Sequence, residues 1–301
     1  MESEYLNLWT KCMPIAKIIH YTFVILHYGD ATVTMKAIDS IRALDRCGHK
    51  VSVIVVDNAS PNGTGELVKN QIESLPDFYY IHNEKNLGFA RGNNVGFLFA
   101  KNELKTDFII LMNNDAVIES SDFCEQVVME YEKEKFAVLG PCIYTPAGVY
   151  QNPLRRALLK GLRLKMTIAY LWLDLLLTTI YVSPIAINML GRFLPKKKFA
   201  PEPLDNVELH GSFLVFSPQY IEKFDGLDAR TFMYCEEEFL FARCQYNGLK
   251  VIYLPSIKVR HDESEYISES ALKMRRRRLF RIRNCLKSLR IYAQTNWDAS
   301  T

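Results

Sequence analysis

Short apolar runs alternate with stretches of helical period through the first third of the chain. Tyr21–Tyr28 (YTFVILHY) is β-branched and aromatic and predicts a strand. Apolar Val33, Ala37, Ile41 and Leu44 follow at helical spacing, with Gly48 as a stop. A second run, VSVIVVDNAS from Val51, is nearly all Val and Ile before it turns polar, as expected of a strand covered on both faces. A helix from about Thr64 to Ser74, a short strand FYYIHN from Phe78, a helix from about Phe89 to Lys101 and the strand FIILM from Phe108 complete the series. This alternation predicts an α/β fold: an open, mostly parallel central sheet with helices on both faces.

In such sheets ligands bind beyond the carboxyl ends of the strands. The polar residues expected there are His27, Tyr28, Asp57, Asn58, Ser60, the loop Asn83–Gly88, and Asn113, Asn114 and Asp115. Each has a plainer alternative, since Asp and Asn hydrogen-bond their own backbone and favour turns. Their convergence is what argues for a site; turn residues alone would scatter over both ends of the sheet. Gly88, Gly92 and Gly96 recur every four residues on one helical face. That spacing permits close approach of a backbone, either a neighbouring strand or a ligand phosphate. It is not G-x-G-x-x-G, so an NAD-binding reading loses its main support. Arg91 either pairs with an anion or is solvated.

A net charge of only +3 gives no whole-protein field that would draw nucleic acid. The charge is unevenly placed: Lys273 to Arg290 holds nine basic residues and no acidic one. Interleaved with Leu272, Leu279, Ile282, Leu286 and Leu289, they predict a basic amphipathic helix suited to an anionic membrane surface. No recognised nucleic-acid module accompanies it, so no nucleic-acid partner is expected. Seven cysteines without a C-x-x-C pair fit reduced thiols, and MESEYLNLWTK is no cationic apolar signal; a cytoplasmic location follows. Met166–Leu190 is apolar enough to suggest a membrane span. Against that, Asp174 sits inside it, Pro184 breaks it, and both flanks (155–165 and 192–198) are basic. The expectation is a helical hairpin in the membrane interface, or alternatively a helix packed on the protein.

Further on, FMYCEEEFLFARCQYNG places three Glu at the start of a predicted helix. Favourable charge at a helix N-terminus accounts for Glu238. It explains less well why the acids directly follow an apolar run.

Taken in order, VVDNASPNGT, NLGFARGNNVG, LMNND, HGSFLVF and FMYCEEEFLFARCQYNGLKVIYLPSIKVRH resemble family 2 glycosyltransferases of the GT-A fold. Within that family the match is similar to the rhamnosyltransferase-like enzymes of bacterial surface-polysaccharide synthesis, and it covers about residues 20–262. The resemblance implies an inverting transfer from a nucleotide-diphosphate sugar, dTDP-rhamnose or a UDP-sugar, to a glycan acceptor. The implied acceptor is lipid-linked, and the implied location is the inner face of the cell membrane.

By the same resemblance, His27 and Tyr28 lie against the base, and Asp57, with Asn58 beside it, binds base or ribose. Asn86, Gly88 and Arg91 line the nucleotide–sugar pocket. Asn113-Asn114-Asp115 stands where Asp-x-Asp holds Mg²⁺ or Mn²⁺ on the diphosphate, so Asp115 is the implied metal ligand, with His261 near it. Val207–Phe216 lines the acceptor site. Aligned on Tyr234, the motif makes Glu237 the base and Glu236 a supporting acid; a further acid common in the family is Phe239 here. Arg243 matches an Arg on the following helix, and Arg283 in RIRN matches a late Arg that touches the diphosphate. A carboxylate clustered with others has a raised pKa, which improves it as a base.

The implied organisation is a tail (1–17), a GT-A domain (18–262) and a basic C-terminal helix (263–301). Within the domain, 18–140 binds the donor, 141–206 is a helical insertion and 207–262 supplies acceptor site and base. A sugar nucleotidyltransferase is a rival, but it wants a Gly-rich, basic loop after the first strand, where this chain has HYGDATVT. A second rival is a membrane-peripheral binding protein with a decayed site, suggested by Asn113 and Phe239. A nucleic-acid module would show strongly salt-dependent binding through 273–290.

Overall fold

The computed structural model describes residues 17–180, 198–262 and 271–297. Most of the N-terminal tail, Pro184 with the end of the apolar stretch, and the basic flank up to 197 lie outside the described residues.

The sheet forms where the apolar runs stand. In chain order come β1 (His20–His27), α1 (Ala31–Arg42), β2 (Lys50–Asp57), α2 (Thr64–Ile72), β3 (Phe78–His82), α3 (Phe89–Asn102) and β4 (Phe108–Asn113). These strands lie in the order β3-β2-β1-β4, all parallel. Side chains alternate across the pleat. Tyr21, Phe23 and Ile25 enter a core covered by α1, α2 and a later helix, while Val24, Ile54 and Val56 enter the core under α3.

The next elements are β5 (Ala116–Ile118), α4 (Phe123–Glu134), β6 (Val138–Tyr144), α5 (Gly161–Thr179), β7 (Leu204–Asp205) and β8 (Phe213–Phe216). After them come α6 (Pro218–Lys223), α7 (Glu236–Tyr246), β9 (Val251–His261) and α8 (Ala271–Gln294). The sheet continues β4-β8-β6-β9-β5. β8 runs antiparallel to β4 and β6, β6 runs parallel to β9, and β5 and β7 run antiparallel to β9. Six of the nine described strands therefore run one way, with β8 antiparallel at the centre and β5 and β7 antiparallel beside β9. Because β6 extends to Tyr144, the helical part of the expected 141–206 insertion begins only at Gly161. Of Val207–Phe216, only the last four residues are extended, as β8.

The glycine face of α3 lies against the sheet. A Cβ on Gly96 would stand 2.4 Å from a Val24 methyl, and one on Gly92 would stand 2.7 Å from Leu26. Of the two alternatives read from the spacing, these two glycines serve close helix–strand packing.

α5 and α8 pack together. Asp174 is buried and accepts from Arg278 Nε (3.0 Å) and Nη2 (2.8 Å) and from Thr178 Oγ1 (3.2 Å). Arg275 donates to the carbonyls of Thr178 and Thr179, satisfying acceptors that the end of α5 leaves open. Leu162, Met166, Tyr170, Leu173 and Leu176 remain exposed at three- to four-residue spacing along the other side of α5. No described helix is long and apolar enough to cross a membrane. The expected packing on the protein and the apolar outer face thus belong to opposite sides of one helix.

Candidate active site

Register places the ends of three strands side by side. His27 pairs with Asp57 and Leu26 with Asn113, so the carboxyl ends of β2, β1 and β4 share one edge. With strands about 4.8 Å apart, Asp57 stands about 10 Å from Asn113 along it.

At the β2 end, Asp57 Oδ1 accepts from the Ser60 N–H (3.0 Å), and Oδ2 takes the Tyr80 hydroxyl (3.2 Å) and lies 2.9 Å from His82 Nδ1. Burial pushes this carboxyl up, but the hydrogen bonds from Ser60 and His82 outweigh it and hold Asp57 below its ordinary value. Gly65 in α2 makes room for it, since a Cβ there would fall 2.1 Å from Oδ2. Asn58 is buried and fastens the 83–88 loop. Its amide donates to Asn86 Oδ1 and the Gly88 carbonyl, and its oxygen accepts from Asn83 and the Leu87 N–H. Asn58 and Asn86 are therefore brought together as supports of the loop. Gly88, at φ 83°, presents its bare Cα to the Phe232 carbonyl, which also accepts from the Phe89 N–H (2.8 Å).

Tyr28 is half exposed just past β1. His27 is fully buried; its ring lies 2.7 Å from Thr34 Oγ1 and 3.2 Å from Thr64 Oγ1. It supports the crevice floor, with no ring surface left for a base. Arg91 is exposed and reaches the Ala229 carbonyl through Nε (2.7 Å).

At the β4 end, residues 114–115 form the turn into β5. Asn113 bonds through its backbone to the Ser212 carbonyl, and the Asn114 amide donates to Thr34 Oγ1 (3.1 Å). That leaves Asp115 as the open acid of the triplet. Its Oδ1 lies 3.0 Å from His261 Nε2, and His261 Nδ1 lies 2.8 Å from Gln151 Oε1. With Nδ1–H donated to Gln151, Nε2 turns a lone pair toward a carboxylate oxygen. Two acceptors at that distance call for a cation or a proton between them. A carboxylate and an imidazole oriented by its second nitrogen suit a divalent metal. Among the described residues no group of three or more His, Cys, Asp or Glu side chains converges, so the chain offers this pair and leaves further positions to a ligand. The His210 ring lies against that of His261, with centroids 5.6 Å apart.

The third station is α7. Tyr234 and Cys235 both have φ 71°, a left-handed turn that is costly for side-chain-bearing residues and recurs at functional sites. It turns Glu237 onto Gly211, whose N–H donates to Oε1 (3.1 Å); a Cβ on Gly211 would approach that oxygen to 2.9 Å. Glu236 is buried and takes the Thr231 hydroxyl (3.4 Å). Arg155 bridges Glu208 (3.1 Å) and Glu238, and Glu208 Oε2 is buried with no partner among the described residues. Burial, then the neighbouring Glu238, pushes Glu208 up to about 8; burial, then Glu237, does the same for Glu236. Glu237 and Glu238 are raised by burial as well. One guanidinium cannot neutralise four carboxylates in so dry a place.

Arg243 and Arg283 are not brought to this edge. Arg243 stands about 240° around α7 from Glu237, six residues on. There it braces Gly226, Tyr220 and Asp228. Arg283 lies on α8 and lines a cleft with Thr231 and Phe232 that none of the three carboxylate stations lines. Conversely, Arg155 and Gln151 meet site residues from outside the motifs, while Glu208 and His210 lie within Val207–Phe216, the segment expected to line the acceptor site. Glu208 carried a signal, an acid between Val207 and Leu209. In the sequence Arg155 is only part of a basic flank, and Gln151 carries no signal.

The profile of glycosyl transferase family 2 matches residues 22–187. Over 211 residues the chain is 27% identical to the low-salt glycan biosynthesis hexosyltransferase Agl10 of Haloferax volcanii, covering 69% of this chain and 59% of that protein. The chain thus spans about three-fifths of that relative's length. Among solved structures, S. aureus TarS 1–349 in complex with UDP superposes with a TM-score of 0.52 at 11% identity, over 93% of this chain and 68% of that one. The mannosyltransferase PcManGT from Pyrobaculum calidifontis, in complex with GDP-Man and Mn²⁺, gives 0.53 at 15% identity over 94% and 72%. Likeness at these identities establishes the shared GT-A-type fold. The profile match extends over more than half of the residues, from β1 past the Asp115 turn, and on that ground the chain belongs to glycosyl transferase family 2.

Proposed function

We propose that the protein is an inverting glycosyltransferase that moves a sugar from a nucleotide-diphosphate sugar to a hydroxyl of a lipid-linked glycan. The observation that carries this reading is the line of three carboxylate stations, Asp57, Asp115 with His261, and Glu237, along one sheet edge. Asp57, kept ionised by its donors, accepts hydrogen bonds from base or ribose. Asp115 and His261 would hold Mg²⁺ or Mn²⁺, which when bound supplies Lewis-acid stabilisation of a departing diphosphate. Glu237 takes the acceptor proton as the hydroxyl oxygen bonds to the anomeric carbon and the bond to the diphosphate breaks, the electron pair leaving with the diphosphate. A single displacement needs one base and inverts the centre. The exposed apolar side of α5 and the basic α8 support a peripheral position on an anionic membrane.

Thermal stabilisation by a panel of dTDP-, UDP- and GDP-sugars, each with Mn²⁺, with Mg²⁺ and with EDTA, tests the donor and metal together. One donor should raise Tm by several degrees in a metal-dependent way, and Asp115→Ala should remove the metal dependence. A shift with none of them would sink this function.

A further inference from the structure

Between α8 and Arg230–Phe232 lies a cleft of about 670 Å³, a size that falls among small-molecule sites of about 300–1,000 Å³. None of Asp57, Asp115, His261 and Glu237 lines it, and no step of the transfer described above uses it. α8 turns Arg276, Arg283 and Lys287 into it, spaced so that they share one helical face. None of the three pairs with an acidic side chain among the described residues. Their neighbours are spoken for: Arg278 is held by Asp174 and Arg230 by Asp228. The rest of the wall mixes polar Thr231, Asn284 and Ser288 with an apolar patch of Leu279, Phe280 and Phe232, and both Phe rings are substantially exposed.

Three cations without an acidic partner among the described residues suit a ligand with several negative charges, and arginine in particular matches phosphate oxygens two at a time. The exposed aromatic and aliphatic wall suits a hydrocarbon attached to that anion, which a bare phosphate would leave unused. Position narrows the choice. Thr231, in the cleft wall, donates to Glu236, and the Phe232 carbonyl accepts from Phe89 beside the donor loop. Ser288 on α8 bonds to the Met233 carbonyl at the root of the catalytic turn. A single short segment therefore separates the cleft from both donor loop and base. We propose that this cleft binds the phosphate or diphosphate ester of a long-chain hydrocarbon lipid: Arg276, Arg283 and Lys287 take the anion, and Phe232, Leu279 and Phe280 take the first part of the chain. Its role as the acceptor's anchor rests on the glycosyl-transfer reading; binding of the ester itself does not.

Calorimetric titration of the purified full chain with farnesyl diphosphate, with inorganic pyrophosphate and with farnesol tests this directly. Farnesyl diphosphate should bind, farnesol should not saturate, and the triple variant Arg276→Gln, Arg283→Gln, Lys287→Gln should bind at least tenfold more weakly. Stabilisation of the triple variant by the sugar nucleotide should remain at the wild-type level. Should that variant lose melting temperature, Arg283→Gln alone, an exposed position, carries the test with a smaller loss. Pyrophosphate binding as tightly as the lipid ester would overturn the lipid assignment in favour of a soluble phosphate compound. No binding by the wild type, or binding indifferent to the substitutions, would overturn the site itself. Failure of the glycosyltransferase reading would register separately, as no sugar nucleotide stabilising the wild type.

Discussion

Glu237 owes its position to two backbone features, the left-handed pair Tyr234–Cys235 and the bare Cα of Gly211. Replacing it by Gln keeps the shape and the Gly211 bond but removes the proton acceptor. Glu237→Gln should lower kcat by about 10²–10⁴ while donor-induced stabilisation persists; full activity with the true acceptor would refute its role as base. Its surroundings set the pH dependence. Glu237, Glu236, Glu238 and Glu208 are all raised, so the acidic limb of kcat/KM should lie well above the ordinary carboxylate value of about 4.3. Removing the Arg155 cation in Arg155→Met should move that limb to still higher pH, and leaving buried charge unpaired should cost about 3–5 kcal/mol of stability. A pH–rate profile of the variant that overlays the wild type would exclude Arg155 as the local counter-charge. Stability follows the same sign. Glu208 and Glu236, both raised to about 8, favour the fold most below their unfolded pKa and lose that contribution as pH rises through 8. Asp57 and Asp228, both lowered, contribute above the unfolded aspartate pKa and lose it only in acid.

Among the elements, α2 and α3 each carry a glycine where a side chain would strike the sheet, with different consequences. Gly96→Ala sets a methyl against Val24 in the packed core and should cost about 1–3 kcal/mol without touching donor affinity. Gly65→Ala strikes the Asp57 carboxylate and should weaken sugar-nucleotide binding more than it lowers Tm. Denaturant midpoints and donor-induced Tm shifts, compared for the two variants, separate packing from site. The strands β1 to β4 were legible because parallel strands covered on both faces read as unbroken apolar runs. The pattern also held information left unused. Period-2 alternation puts His27 on the same face as Phe23 and Ile25, which α1 covers, so its burial was readable. Six residues from Glu237 on a helix cannot share its face, so the place of Arg243 was readable too. What could not be read is the pairing of distant segments. Arg155 meets Glu208 and Glu238 across 53 and 83 residues, and Gln151 meets His261 across 110. No local period encodes such contacts.

For the whole molecule, the paired helices α5 and α8 present the apolar face that the proposed peripheral position would set against a membrane. Arg278 and Asp174 fix α8 to one side of α5, which turns Leu162, Met166, Tyr170, Leu173 and Leu176 outward together. Burying a single Leu or Met side chain contributes up to about 1.5–3 kcal/mol, so partial burial of five would bind a bilayer without spanning it. Basic residues near an anionic surface add about 1 kcal/mol each, a contribution that salt screens over a Debye length of about 10 Å. Binding should therefore have two components. Raising salt should weaken co-sedimentation with anionic vesicles without abolishing it, and vesicles of neutral lipid should retain a weaker, salt-insensitive association. Met166→Glu with Leu173→Glu removes the apolar component and should reduce vesicle binding at least tenfold at unchanged Tm, because both side chains are already in water in the free protein. Equal co-sedimentation of that variant and the wild type would mean that the stripe is not the membrane face. The basic side of α8 would then have to account for the whole of the attraction, and raising the salt would abolish it.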